Sequence, residues 1–368
     1  MTATTNPPAA LSVTSFLTPL VEGTVQVVDL VSEPTQVDSL TINSTEASDE
    51  PVVKRHRLIL ALDGLTPLAA LTAHEYLGAN TSHIFVDKVD TSGLGTHRGL
   101  ARALVTAYLQ STAAAQGSAS WYLHVYAKSA HTYLLPGAAE GSSKRVLNDS
   151  QLTYWWQSAI DAALWGHPLE RYCFQPGSSS KRNNAWASGF PASLYALNAN
   201  PQAVVLDLPD HELARLAKAD TAKGVETLGE LLQVWQGLVE AKGGDERPAC
   251  LTVHVSPKVG SEGEPDGKAD ADVVEPVGNA VESVITTLLA HKWTGGDDVA
   301  TQALDAVVKA SGAPAVQVRG TSVRKVVATS DASPAKPTVA VNTLNATLIK
   351  KKRTAEQPAS PNKKAKIE

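Results

Sequence analysis

Two cysteines in 368 residues leave no material for a disulfide framework or a four-cysteine zinc module. No run of about 18 apolar residues occurs, so no membrane-spanning helix is expected. The opening Met1-Thr2-Ala3-Thr4-Thr5 has neither a basic n-region nor an apolar h-region, and no secretory signal is expected. A Walker-type phosphate loop is missing, and Gly93-Leu94-Gly95 alone is too short to indicate a dinucleotide site. The 10 histidines fall in no pair at helical metal-binding spacing, and no Gly-x-Ser-x-Gly elbow is present. Neither a metal centre nor an elbow-type serine nucleophile is therefore expected.

Apolar residues make up 43% of the chain, enough for a sizeable core, and the length suits about two domains or one elaborated one. The net charge of −5 hides a split. Positions 350–368 hold seven basic groups (Lys350, Lys351, Lys352, Arg353, Lys363, Lys364, Lys366) and two acids, Glu356 and Glu368. The preceding residues hold 25 basic and 35 acidic groups, so an acidic body carries a basic tail. A body that bound nucleic acid would show the reverse, whereas an acidic one attracts a basic partner. A mildly acidic balance is also ordinary for intracellular proteins.

Short β-branched or apolar runs at Val25–Val28, His56–Leu65, Ser82–Val89, Trp121–Lys128, Gln202–Leu208 and Cys250–Val255 read as strands. Helical spacing appears at Leu100, Leu104, Ala107 and Tyr108. It recurs from Leu152 through Trp155, Trp156 and Ile160 to Leu164, opened by Asn148-Asp149 and closed by Gly166. Leu228–Val239, Ile285–Leu289 and Ala303–Val308 add further helices, and Ser15-Phe16-Leu17 opens a short one. The alternation predicts a mixed α/β domain over 1–327. It contains a polar loop at 44–52 and an acidic, mobile loop at 260–275. Residues 328–368 read as a disordered tail rich in Ser, Pro, Ala and Lys, with Val339–Ile349 as an apolar stretch that could dock back.

Lys350-Lys351-Lys352-Arg353, nine residues, then Lys363-Lys364-Ala365-Lys366 has the spacing of a bipartite nuclear import signal. Ser333-Pro334-Ala335-Lys336 and Ser360-Pro361-Asn362-Lys363 match a short kinase-site pattern, and phosphate on Ser360 would oppose the second cluster. A solvated charge run or non-specific DNA contact is the plainer alternative for this tail.

Three dense strings remain. Phe85-Val86-Asp87-Lys88-Val89-Asp90-Thr91-Ser92-Gly93 runs from strand into turn, with Asp90 either facing a cleft or making an Asx turn. Tyr133-Leu134-Leu135-Pro136 leads to Gly141-Ser142-Ser143-Lys144-Arg145, either a phosphate-holding loop or an exposed one. Tyr154-Trp155-Trp156 is either core stripe or cavity wall.

Together the strings Phe-Val-x-Lys-x-Asp-Thr-x-Gly, Tyr-Leu-x-Pro, Ser-Lys-Arg-x-Leu-Asn and Trp-Trp closely resemble the fungal regulator-of-transposition histone acetyltransferases. Weaker similarity runs from Ser15-Phe16-Leu17 through Pro209-Asp210 and Ala214-Arg215 to Trp293-Thr294-Gly295-Gly296. The resemblance implies a central mixed β-sheet surrounded by helices, like the CREB-binding-protein acetyltransferases. It also implies transfer of acetyl from acetyl-coenzyme A to lysines of newly made histone-3, in its core domain and tail, before replication-coupled chromatin assembly. The implied partners are histone-3/4, chaperones of the nucleosome-assembly-protein and anti-silencing-function types, and importin through the tail. No membrane, metal or specific nucleic acid is implied.

By the same resemblance, Tyr126, Lys128, Ala130 and Tyr133 match a cofactor-contacting strand and turn. Lys144 and Arg145 match cations suited to its phosphates, and Trp155 matches the first of the paired tryptophans. Asp90, Trp156 and Asp210 match the catalytic positions. Trp156 would wall the lysine channel, and Asp90 would steer the substrate ammonium and relay its proton. A free lysine, with a pKa near 10.4, is almost wholly protonated at neutral pH, so the amine must be neutralised. Cys173 and Cys250 have no evident histidine partner, which favours direct transfer. Departures are His211 and Leu213, where the family has an acid and a self-acetylated lysine, and Lys128 in place of an arginine, which loses bidentate geometry. These leave a second reading, a weakly active or inactive member that binds histone or chaperone, and a third, a non-enzymatic nucleic-acid binder.

Overall fold

A computed structural model describes residues 8–42, 52–94, 97, 99–130, 133–138, 140, 144–177, 185–243, 247–257, 272–294 and 298–320. The import clusters, Ser333, Ser360, Val339–Ile349, Gly141–Ser143, Gly295-Gly296 and most of the 44–52 and 260–275 loops lie outside the described residues.

The chain opens with one turn of helix, α1 (Thr14–Leu17), then lays down β1 (Thr24–Val31), β2 (Thr35–Val37), β3 (Val52–Asp63), β4 (Thr66–Leu77) and β5 (Thr81–Thr91). Helix α2 (Leu100–Gln116) crosses to β6 (Ser120–Ala127), followed by α3 (Asp149–Ala163), β7 (Leu169–Phe174) and β8 (Ala187–Ser188). Then come α4 (Pro201–Val204), α5 (Glu212–Lys218), α6 (Leu228–Ala241), β9 (Ala249–Val255), α7 (Ala280–Ala290), α8 (Asp298–Ser311) and β10 (Ala315–Arg319). The described strands form one sheet in the order β10-β1-β3-β4-β5-β6-β9-β7-β8, with β2 also paired to β3. Pairings are antiparallel except β5 with β6 and β7 with β8. A parallel neighbour needs a crossover, which α2 supplies between β5 and β6.

Both sheet faces are covered, so central strands read as near-continuous apolar runs. In β3, Ile59 and Ala61 face the layer built from α1, α2 and α3, while Leu58, Leu60 and Leu62 face α7 and α8. Farther along that second face, Tyr76, Phe85 and Cys250 pack on α5 and α6 through Leu213, Leu216, Leu231 and Trp235.

One expectation fails, and one strand lies where none was expected. Gln202–Leu208 is no strand: Asn200 accepts a hydrogen bond from the Gln202 amide, Pro201 occupies the first turn, and α4 results. Segment 66–77, unassigned above, is the long strand β4. Its Ala and Leu content carries little strand propensity, and burial between β3 and β5 decides its state.

Two arginines fix the N-terminal segment. Arg57 is fully buried and bonds both oxygens of Asp29 at 2.9 and 2.7 Å, while Arg55 bonds Glu75 at 2.5 Å. Arg55 also donates to the Pro8 carbonyl and Arg57 to that of Leu11.

Candidate active site

Strand β5 carries an irregularity that aims its charged residues. Ala73 pairs with Val86 and Thr72 with Lys88, which leaves Asp87 as an extra residue bulged from β5. A bulge re-aims neighbouring side chains toward one side. Lys88 Nζ accordingly sits 2.8 Å from Asp87 Oδ2 and 2.9 Å from Asp210 Oδ2. Asp210 precedes α5 with φ 53, a left-handed backbone uncommon for a residue other than glycine.

At the end of β5, Asp90 is buried and fully engaged. Its Oδ2 accepts the backbone N–H groups of Tyr133, Leu134 and Leu135, each at 3.0 Å. Its Oδ1 accepts from Thr91 N at 2.8 Å and from Lys144 Nζ at 2.5 Å. Asp90 thus orders the 133–135 turn and anchors Lys144. The expected free carboxylate for steering and proton relay is not what the geometry provides, and the alternative Asx turn to Ser92 is not made, since Ser92 N donates to Leu68 O. Lys144 is likewise not an open phosphate-binding cation: its side chain is 8% exposed and spent on Asp90. Arg145, beside it, is exposed.

Helix α3 begins with a capping box. Asn148 accepts from Gln151 N at 2.9 Å, and the Gln151 side chain returns to Asn148 N. The next residue, Asp149, is buried and accepts from Ser129 N at 2.5 Å, while Ser129 Oγ donates to Leu147 O. The turn after β6 is therefore clamped to the start of α3. Nearly two turns on, Trp155 and Trp156 meet edge to face, centroids 5.0 Å apart. Trp155 stays half-buried, and Trp156 packs into the core beneath it.

These elements enclose two adjoining cavities. The first, about 200 Å³, lies between β5, β6 and α3 and is lined by residues including Asp90, Tyr126, Ala130, Tyr133, Lys144, Arg145, Trp155 and Trp156. The second, about 330 Å³, shares Tyr126, Ser129 and Ala130 with the first and adds Lys128, Arg215, Trp235 and Lys242. Of the residues predicted from sequence, all but Asp210 line one or the other, and Asp210 reaches the first through Lys88. Sequence reasoning missed Asp87, Lys88, Ser129, Arg215 and Lys242 as site residues. The bulge has no sequence signature, and Arg215 and Lys242 reach the cavity only through the packing of α5 and α6.

The site holds its phenols neutral. Burial pushes the Tyr126 and Tyr133 hydroxyls well above their ordinary range, helped at Tyr133 by Asp149 and Asp90. Burial also raises Asp87, only partly offset by Lys88. The lack of a histidine near the cysteines proves incorrect: Cys250 Sγ lies 3.5 Å from His211 Nε2. Burial lifts that thiol well above its usual range and lowers His211 to about 4, so the two stay a neutral thiol and imidazole. Neither residue lines the two cavities, and Leu213 is fully buried in the core beside them. Among the described residues, no group of three His, Cys, Asp or Glu is placed to hold a metal, and no helix is long and apolar enough to cross a membrane.

The cavities suit a long ligand that is apolar in its middle and anionic at one end. Aromatic and aliphatic walls surround the shared turn, and Lys128, Arg145, Arg215 and Lys242 stand at the rims. Residues 106–188 match the family model of the histone acetyltransferase KAT11-type domain, whose cosubstrate is acetyl-coenzyme A. That segment runs from α2 to β8 and carries β6, the clamped turn and both tryptophans. Comparison with curated proteins gives no match. Among solved structures, the fold matches the crystal structure of Rtt109 from Aspergillus fumigatus, with a TM-score of 0.67 and 17% identity, over 84% of this chain and 99% of that one. The chain is therefore an acetyltransferase with the Rtt109 fold, similar over residues 106–188 to the histone acetyltransferase KAT11-type domain.

Proposed function

We propose that the enzyme acetylates lysines of newly made histone-3, presented with histone-4, by direct transfer from acetyl-coenzyme A. The observation that carries this reading is the pair of cavities joined at the 126–130 turn, one walled by tryptophans and the other rimmed by cations. Bound acetyl-coenzyme A supplies a thioester carbonyl to the amine. Tyr126, Ala130 and Trp155 pack the apolar arm of the cosubstrate, while Lys128, Arg145, Arg215 and Lys242 neutralise its phosphates. Trp156 backs the lysine channel and keeps water out, which favours the neutral amine. Asp90 acts as an organiser, holding the 133–135 turn and Lys144 in place. The neutral Cys250–His211 pair gives no thiolate nucleophile, in keeping with direct transfer.

The acidic body favours a basic histone. Chaperones of the nucleosome-assembly-protein and anti-silencing-function types are the proposed presenters, and the tail the proposed import signal. Deleting residues 350–368 should abolish nuclear accumulation of a fluorescent fusion, and unchanged accumulation would refute the import role. Incubating the protein with acetyl-coenzyme A, histone-3/4 and each chaperone, then mapping acetyl-lysines by mass spectrometry, tests the rest. Modification concentrated on histone-3 supports the reading, and acetylation spread evenly over all histones contradicts it. The second reading, a weakly active histone-binding member, is favoured by Leu213 filling the core with a side chain that cannot be acetylated. Histone binding without acetyl transfer under every chaperone condition would establish it.

A further inference from the structure

The charged trio at the β5 bulge does not serve the roles above. Lys88 lies on the wall of the first cavity beside Asp87 and Asp90, and its ammonium is pinned between Asp87 on its own strand and Asp210 on the segment entering α5. Burial draws the Lys88 ammonium toward its neutral form, but hydrogen bonds and charge from Asp87 and Asp210 outweigh it and hold the proton. Two carboxylates and one ammonium leave one negative charge. Without Lys88, both Asp87 on the wall and the more exposed Asp210 behind Lys88 would lose their counter-charge.

The other groups around it contribute little net charge. Asp90 is matched by Lys144 from the loop before α3. His74 on β4 is held neutral, lowered to about 2, and His56 on β3 pairs with Glu282 of α7. Tyr126 on β6 and Tyr133 keep their protons. Arg145 is exposed and screened by solvent. Lys88 is thus the cation that sets how strongly this wall attracts a positive charge.

We propose that Lys88 is a positioning residue for the acetyl acceptor: its fixed ammonium offsets Asp87 and Asp210, so that an incoming lysine reaches the cavity as a reactive neutral amine rather than being trapped as an ammonium ion. This rests on the acetyl-transfer reading above. Two unpaired carboxylates would bind the substrate ammonium more tightly and raise its pKa, making it harder to deprotonate. A like charge nearby acts in the opposite sense. The bulge explains why the arrangement is possible at all, since consecutive residues of a regular strand face opposite sides.

The test is the pH dependence of acetyl transfer to histone-3/4 by wild type, Lys88→Met and Lys88→Arg, each checked for an intact thermal transition. Lys88→Met should bind histone with unchanged or lower KM, turn over severalfold more slowly at neutral pH, and shift the alkaline-rising limb of kcat upward by about 0.5–1 pH unit. Lys88→Arg, which keeps the charge, should retain the wild-type limb. If Lys88→Met does not fold, Lys88→Gln takes its place. A superposable pH profile, or an equal loss at every pH, would overturn the proposal. A wild-type enzyme that transfers no acetyl would instead overturn the reading on which it rests.

Discussion

Asp90 receives five hydrogen bonds, three of them from consecutive backbone amides and one from a nearly buried ammonium. Removing one member of such a pair leaves the other charge buried without compensation, which costs about 3–5 kcal/mol, whereas removing both costs far less. Asp90→Asn should therefore lower stability and acetyl transfer together. Adding Lys144→Met should restore much of the stability while transfer stays low, as read from denaturant unfolding and initial rates. Additive losses in the double variant would mean the pair is unimportant. Both residues stood out in the sequence, but their partnership did not, because 54 positions separate them and only the folded turn brings them together. The sequence showed Asp90 at a strand end and left open what its oxygens would meet.

At the scale of elements, the strings that suggested the site fall on β5, the turn after β6 and α3, as strand and helix patterning indicated. The capping box at Asn148 was readable in part, since Asn-Asp before a periodic stretch marks a helix start. That Asp149 also clamps Ser129 was not, because one carboxylate serving the neighbouring turn leaves no periodic trace. Asp149→Asn should loosen this clamp, raising KM for acetyl-coenzyme A severalfold with little change in helix content by circular dichroism. Asn148→Ala should instead cost about 1 kcal/mol of stability and leave KM nearly unchanged. Equal KM values in the two variants would refute the clamp. Strand β4 eluded the sequence because its two buried faces, not its residue propensities, make it a strand.

Across the whole molecule, an acidic body encloses several uncharged imidazoles. Burial lowers His83 and His211 to about 4 and His74, with help from His56, to about 2. In the unfolded chain each takes a proton near pH 6.5, so the unfolded state binds more protons over this interval and stability rises with pH. The stabilisation is complete above about 6.5 and declines as pH falls toward 4, by about 2 kcal/mol per imidazole at pH 5. Urea unfolding at pH 7.5 and pH 5 should show this loss, and His211→Gln should flatten the slope even if it lowers stability at both. A slope unchanged by His211→Gln would show that His211 takes up its proton in the native fold as readily as in the unfolded chain. The charge split that the sequence did reveal bears on the proposed partners and import. It said nothing of these imidazoles: His74 stacks on His56, His83 on Tyr122 and His124, and His211 sits at the start of α5, contacts that only the folded sheet creates.

The central claim is that the cavity between β5, β6 and α3 is where acetyl moves to lysine. Its most direct test is the initial rate of acetyl transfer to histone-3/4 by Trp156→Phe, measured beside wild type at equal folded fraction. A smaller ring opens the channel wall to water, and at equal folded fraction the rate should fall about tenfold, or ~1.4 kcal/mol of barrier, alongside the lower thermal transition expected of a ring trimmed in the core. A wild-type rate in that variant would contradict the account.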